Sequence, residues 1–435
     1  MPLWLGEKVS TMDLPPSLVL ANVTLPTGRV ADISLAGGRV IHTGAGRPGG
    51  EYIDCTGLLV LPGAIDMHVH MRGGCQAAKE DWKSGSMSAL AGGVTVVVDQ
   101  PNTLPPLTTP RLLHDRVRDA ERHSLCNFAI NSSVTPQTPL ERMWEAGALA
   151  FGEIFFAPSS YGEGISDELF HEALRRIHSM NGLATIHAER VNDVPDTDLL
   201  SHSRARSPEN ERMAVEAVGG LNTDGCRIHF CHLSTKGAVD SASATVEVTP
   251  HHLFLSLEDF DPGDPFGKVN PPLRTEKERK HLWERWDRID VIASDHAPHT
   301  RSEKNQEFSL APSGIPGVET LMPLLLAYAM DGKISLQSVI EKTSLKPADL
   351  LGIPRAGYIP GDRADFAIYP KNPRPVSPEM LQSKCGWTPF EGQRGIFPLT
   401  VIMGGTIVYH DGDFFSSEPL WFPGKGYKKA PRPGT

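Results

Sequence analysis

Long apolar runs are missing from this chain. No stretch approaches the roughly 20 consecutive apolar residues of a membrane-spanning helix, so no membrane association is expected. Cysteine is sparse: Cys55, Cys75, Cys126, Cys226, Cys231 and Cys385 are scattered over 435 residues without framework spacing, which points to free thiols rather than a disulfide scaffold. Positive charge is in deficit. With 42 Lys and Arg against 52 Asp and Glu, the net charge of −10 argues against nucleic acid as a partner, and an acidic ligand would need a local cationic pocket. The start, Met1-Pro2-Leu3-Trp4-Leu5-Gly6-Glu7-Lys8, lacks the basic flank and apolar core of a secretory signal, so the expected location is cytoplasmic.

What remains is a soluble globular composition, 40% hydrophobic and 22% charged, long enough for one large α/β domain and a smaller one. The residues with most to say lie in Leu61-Pro62-Gly63-Ala64-Ile65-Asp66-Met67-His68-Val69-His70-Met71-Arg72. In a strand, side chains at i and i+2 share a face, so His68 and His70 point the same way and can hold one metal. Two half-buried histidines that merely satisfy hydrogen bonds are the competing reading. Ile186-His187-Ala188-Glu189, Phe230-Cys231-His232-Leu233 and Ser294-Asp295-His296-Ala297-Pro298-His299 weigh against it, because each also lies where an apolar, β-rich run stops.

Between a β-rich N-terminal stretch at 17–60 and a similar texture at 365–369 and 400–409, eight β-type runs can be counted: 63–70, 93–99, 127–132, 148–156, 183–187, 227–232, 244–249 and 290–295. Helical patterns at 112–122, 140–147, 167–180, 208–219, 276–286 and 318–330 fall between or after them. Eight βα units predict an α/β fold, a (β/α)8 TIM barrel with its site at the C-terminal ends of the strands. His68, His70, Glu153, His187, His232 and Asp295 then converge on one mouth. The N-terminal strands are too few to close a core, so they are expected to pair with the C-terminal segment.

With these residues in place, the sequence resembles the amidohydrolase superfamily and, within it, the cyclic-amide branch of the dihydroorotases. The matching text is Pro62 to Arg72, Pro101-Asn102-Thr103, Pro250-His251-His252-Leu253, Lys268-Val269-Asn270-Pro271-Pro272-Leu273-Arg274, Ser294 to Thr300 and Trp387-Thr388-Pro389-Phe390-Glu391-Gly392. The resemblance implies two zinc ions: His68, His70 and Asp295 on one, His187 and His232 on the other, with a carboxylate between. It implies that Arg72, Asn102, Asn270 and His299, with backbone near Gly314, grip a small acidic cyclic amide. It also implies a β-sandwich beside the barrel, giving 1–61 and 353–435 to the sandwich and 62–352 to the barrel. A homodimer, and association with aspartate transcarbamoylase, are the expected partners.

Two positions depart from the family. Its usual bridge is a carboxylated lysine on strand 4, where this chain has Glu153. The glutamate is shorter by three side-chain atoms, roughly 3–4 Å. Strand 4 must move inward, the metals must shift toward it, or one metal is lost; Glu153 as a plain structural acid is the alternative. After Arg72 the chain continues Gly73-Gly74-Cys75 where the family usually has Glu-Pro-Gly, which leaves substrate identity less determined than metal binding.

Zinc suits neutral imidazoles and carboxylates, lowers the pKa of a bound water toward about 7 and polarises a carbonyl. Asp295 is placed to accept the proton of the attacking water and deliver it to the departing ring nitrogen. The planar fork of Arg72 suits an α-carboxylate; a salt bridge closing the barrel mouth is its alternative. An Asx turn and a capping role are those of Asn102 and His299. Cys231, Glu247 and His252 hold a further metal or, as favoured here, pack and hydrogen-bond, with Cys231 facing away from the centre by alternation. The stretch 157–164 has the hinge-rich texture of a lid. Rival activities are a hydantoinase or allantoinase, which needs no grip on an α-carboxylate, and a catalytically silent barrel partnering aspartate transcarbamoylase.

Overall fold

The protein is described by a computed structural model covering residues 16–46, 49–156 and 164–429. Eight short strands run parallel in chain order, in two groups. Ala64–Val69, Val94–Asp99 and Asn127–Ile130 form one sheet, and Phe151–Phe155, Leu183–His187, Arg227–Phe230, Thr245–Val248 and Val291–Ile292 form the other. At one seam an isolated parallel bridge joins Ser132 to Phe151, and at the other Val69 to His296. His70 N donates to His296 O at 2.8 Å across the second seam. This is an α/β architecture of the TIM-barrel type.

The strands read as near-continuous apolar runs because both faces are covered. All six residues of Ala64–Val69 and of Val94–Asp99 are buried, as parallel strands under flanking helices require. The helices carry the complementary pattern. Pro110–His123 starts with proline behind the Thr109 cap and buries Leu113, Arg116, Val117 and Ala120 at three- and four-residue spacing. Asp167–Ser179 is capped by Ser166, has Asp167 and Glu168 in its first turn, and buries Phe170, Ala173, Leu174 and Ile177. Trp82–Gly92 escapes a periodicity reading because nine of its eleven residues are buried, serines included, so no polar face marks the period. The eighth strand keeps only Val291–Ile292 of the expected 290–295, since Asp295 takes a φ of 46° and leaves the extended region.

The N-terminal strands Leu18–Thr24, Val30–Ala36, Arg39–Gly44 and Glu51–Asp54 form their own four-stranded sheet. They touch the C-terminal segment through an isolated antiparallel bridge between Arg39 and Arg363 and a hydrogen bond from Val40 N to Asp362 O at 2.9 Å, and the continuous pairing comes from Leu59–Pro62. It lies at the edge of an antiparallel sheet with Phe366–Tyr369, Thr400–Met403, Thr406–His410 and Asp413–Phe414. The two sheets share one apolar cluster that includes Leu20, Ile33, Leu35, Val60, Phe366 and Ile402. Among the described residues no helix is long and apolar enough to cross a membrane.

Candidate active site

The ends of the parallel strands bring four imidazoles and two carboxylates together. His68 lies within the first strand and His70 just past it, both buried and on the same side as the i, i+2 spacing requires. Their Nε2 atoms stand 3.5 and 3.1 Å from Asp295 Oδ1. Glu153 Oε1 lies 2.9 Å from His187 Nδ1 and 2.7 Å from His232 Nε2, while its Oε2 is 3.7 Å from His68 Nε2. The ring centroids of His68 and His232 are 5.1 Å apart, and those of His187 and His232 are 4.7 Å apart. One carboxylate therefore sits between two groups of imidazoles.

Strand 4 explains how a short side chain reaches so far. Opposite Ala184 and Ile186 of strand 5, the register against Phe151 and Ile154 shifts by one residue, an irregularity that re-aims side chains. A Cβ on Gly152 would stand 2.2 Å from Thr185 O, so only glycine permits this approach. Three non-glycine residues at the mouth, Arg72, His232 and Asp295, have φ of 48°, 35° and 46°. Such left-handed backbone on bulky residues clusters where function demands a particular aim.

The remote ring nitrogens are held too. His68 Nδ1 is 3.0 Å from Glu247 Oε1, His70 Nδ1 is 2.8 Å from Asn102 Oδ1, and His187 Nε2 is 3.2 Å from Glu189 Oε2. Glu247 also accepts from His232 N at 3.1 Å and lies 3.1 Å from His229 Nε2. Sequence reading missed Glu189, although its i+2 spacing from His187 was the available signal. It left open Glu247, which proves to hydrogen-bond. His252 stands apart, held by Thr249 Oγ1 at 2.8 Å and Pro271 O at 3.0 Å. Cys231 does not face away: it groups with His68 and Glu247 beneath the centre. Alternation fails because His232, with its left-handed φ, turns into the site instead of opposing Cys231.

Charge follows the geometry. Burial raises the Asp295 carboxyl, but the charges of His68 and His70 outweigh it and hold it well below the usual carboxylate range. Burial likewise opposes ionisation of Glu153, and hydrogen bonds from His187 and His232 prevail, again well below that range. Burial lowers His187, while Glu153 and Glu189 push it up to about 10. A metal ion among these groups would take the place of the ring protons that balance the two carboxylates.

A metal fits the residues present. His68 Nε2 is buried with no hydrogen-bond partner, an orphaned nitrogen aimed between Asp295 and Glu153. His68, His70 and Glu153 form one group of possible ligands, and Glu153, His187 and His232 a second, each with donor atoms within 4.8 Å of one another.

A pocket opens on this centre, lined by His70, Glu153, His187 and Asp295 and, further out, by Arg72, Asn102, Asn270 and Gly314. Asn270 Oδ1 is buried without a partner. Asn102 also serves His70, as described. His299 does not line the pocket, and its Nε2 lies 3.4 Å from Arg72 Nη2. Of the stretch expected to form a lid, 157–163 lies outside the described residues.

Imidazoles and carboxylates gathered at the C-terminal ends of parallel strands in a TIM-barrel-type fold define a metal-dependent hydrolase. The chain belongs to the amidohydrolase family, whose profile matches residues 59–408. A dihydroorotase of Halobacterium salinarum is 43% identical over 414 residues, 92% of this chain and 98% of that protein. One of Methanosarcina acetivorans is 40% identical over 424 residues, 90% of this chain and 91% of that protein. Among solved structures, the L-hydantoinase of Arthrobacter aurescens matches with a TM-score of 0.88 at 25% identity, covering 93% of this chain and 99% of that one.

Proposed function

We propose that this protein is a dihydroorotase, a zinc enzyme interconverting N-carbamoyl-L-aspartate and (S)-dihydroorotate in pyrimidine biosynthesis. The observation that carries the reading is a pocket lined both by potential metal ligands, His70, Glu153, His187 and Asp295, and by Arg72. A hydantoinase or allantoinase has no α-carboxylate to meet, and the cation would be idle there. Relatives about 40% identical that bear the name dihydroorotase support the same choice. A catalytically silent barrel would have no use for six ligating groups.

On this reading His68, His70 and Asp295 would hold one zinc ion, His187 and His232 would hold a second, and Glu153 would supply the carboxylate that a carboxylated lysine usually provides. Bound zinc supplies Lewis acidity toward the ring carbonyl and lowers the pKa of water. The chain supplies the rest. Arg72 pairs with the substrate carboxylate, which fixes the ring's orientation, and Asn270 and the Gly314 backbone complete the grip. Asp295 takes the proton of the attacking water and returns it to the ring nitrogen as the amide bond breaks. Run in reverse, protonated Asp295 delivers its proton as water is expelled and the ring closes. The remote-nitrogen contacts from Glu247, Asn102 and Glu189 set the ring orientations in advance.

The architecture that presents this site is a closed eight-stranded barrel of residues 62–352, supported by the bridges at both seams. Beside it, a β-sandwich of 1–61 and 353–435 is supported by the shared apolar cluster. A cytoplasmic homodimer, with or without aspartate transcarbamoylase, is the working assembly. The test is turnover of dihydroorotate and hydantoin by purified protein, with metal content measured by mass spectrometry. Turnover of dihydroorotate with zinc bound is expected; turnover of hydantoin alone sinks the assignment.

A further inference from the structure

Lys304 is among the largest side chains of the protein to be fully buried, and the mechanism above leaves it without a task. It ends the short helix Arg301–Lys304. Its Nζ donates to Lys268 O and to Pro312 O, each at 3.0 Å, and stands 5.7 Å from the centre of the Trp387 ring. It makes no ion pair among the described residues; Asp264 acts on it through space. A methionine would fill the same volume without taking an amine out of water. What lysine adds is the two hydrogen bonds.

Both accepting carbonyls lie beside the pocket. Lys268 precedes Val269 and Asn270, Pro312 precedes Ser313 and Gly314, and all four of those followers line it. Lys268 O also accepts from Gly314 N at 3.0 Å, so the two loops meet at one oxygen. Trp387, from the C-terminal run that the mechanism does not use, closes the arrangement. Its Nε1 donates to His299 O at 2.7 Å, and its ring meets that of Phe266 edge to face, with centres 4.9 Å apart. Burial and the neighbouring ammonium of Lys268 push Lys304 down to about 7, with Asp264 opposing them. Loss of that proton still leaves two N–H groups, one for each carbonyl.

We propose that Lys304 is a positioning residue for substrate binding: its amine ties the Lys268 and Pro312 carbonyls together and so fixes the spacing across the pocket between Asn270 and the Gly314 backbone. This rests on the dihydroorotase reading for the identity of the substrate, but the clamp on the two loops does not depend on it. Gly314 shows how little slack there is. A Cβ there would stand 2.6 Å from Ala297 O, so a shift of this loop would be felt at the strand-8 side of the pocket as well.

Amide hydrogen exchange reads the clamp without any substrate: in Lys304→Met the Gly314 amide is expected to exchange at least about tenfold faster than in the parent. In steady-state assays the same variant is expected to raise KM for dihydroorotate about ten- to hundredfold, the weight of one charge-assisted hydrogen bond, with kcat within about threefold and bound zinc unchanged. Lys304→Ala assayed with propylamine, which can enter the vacated space, should recover most of the loss, whereas Lys304→Met, which fills that space, should not respond. An unchanged KM or Gly314 exchange rate in Lys304→Met, a loss confined to kcat, or a defect in Lys304→Ala that propylamine leaves untouched overturns the proposal. The clamped loops lie outside the barrel strands, so failure of Lys304→Met to fold counts against it too. If the parent turns over no dihydroorotate, the functional reading fails, and exchange at Gly314 still decides the role of Lys304.

Discussion

Shortening Glu153 by one methylene is the most informative perturbation of this site. Two donors on one tetrahedral zinc at about 2.0–2.1 Å stand about 3.3–3.4 Å apart. Glu153 Oε1 is 2.9 Å from His187 Nδ1 and 2.7 Å from His232 Nε2. Those gaps need to open by only about 0.5 Å to admit the ion, within the reach of a side-chain adjustment. In Glu153→Asp the carboxylate retracts by about 1.5 Å, one carbon–carbon bond. Strand 4 cannot follow it, because Gly152 already abuts the Thr185 carbonyl. The variant is therefore expected to keep the zinc at His68, His70 and Asp295 and to lose the one at His187 and His232. Turnover of dihydroorotate should fall by about 100- to 1,000-fold, the usual cost of removing one group that stabilises developing charge. Metal analysis after gel filtration, beside the rate, measures both. Two zinc ions per chain with near-parental turnover in Glu153→Asp would refute the reach argument.

Three further outcomes follow from the same geometry. Arg72→Ala should cost dihydroorotate turnover at least about 100-fold in kcat/KM while leaving any hydrolysis of hydantoin nearly unchanged, as loss of a buried partner for a carboxylate predicts; equal losses on both substrates would speak against a carboxylate grip. The pH profiles of the two directions should slope oppositely. His68 and His70 outweigh burial to keep Asp295 ionised down to low pH, so hydrolysis, which needs the base, is lost as pH falls, and ring closure, which needs the acid, is lost as pH rises; parallel limbs would contradict the role of Asp295. Arg116 is buried, pairs with Asp99 at 2.8 Å and donates to Arg72 O at 2.6 Å. Arg116→Ala strands the Asp99 charge and should destabilise the protein by about 3–5 kcal/mol in urea unfolding, with KM rising as the Arg72 backbone loses its tether; unaltered stability would mean that the pair is idle.

Much of the molecule was legible in its residues. Period-two and continuous apolar runs marked eight strands, and the imidazoles and Asp295 stood at their ends, because a strand's direction carries its last residues to one rim whatever the packing. Amphipathic helices such as Asp167–Ser179 announced themselves by spacing. Buried Trp82–Gly92 did not, having no polar face. The N-terminal strands announced a small sheet, but which of their residues meet the C-terminal segment was hidden, since strand partners are chosen by three-dimensional fit rather than by texture.

Residue identity and order determined that this chain carries side chains able to ligate a metal and an arginine able to meet an anion. Tertiary structure alone decided whether Glu153 reaches, which way Cys231 and His232 turn, and that Glu189, Glu247 and Asn102 hold the remote ring nitrogens. The reason is one of scale. Periodicity is set by local backbone geometry and survives in the sequence, whereas coordination is set by differences of an ångström between segments up to 228 residues apart, as between the Asp66 carboxylate and Ser294 N. Those differences arise from a register shift and three left-handed residues that only the folded chain displays.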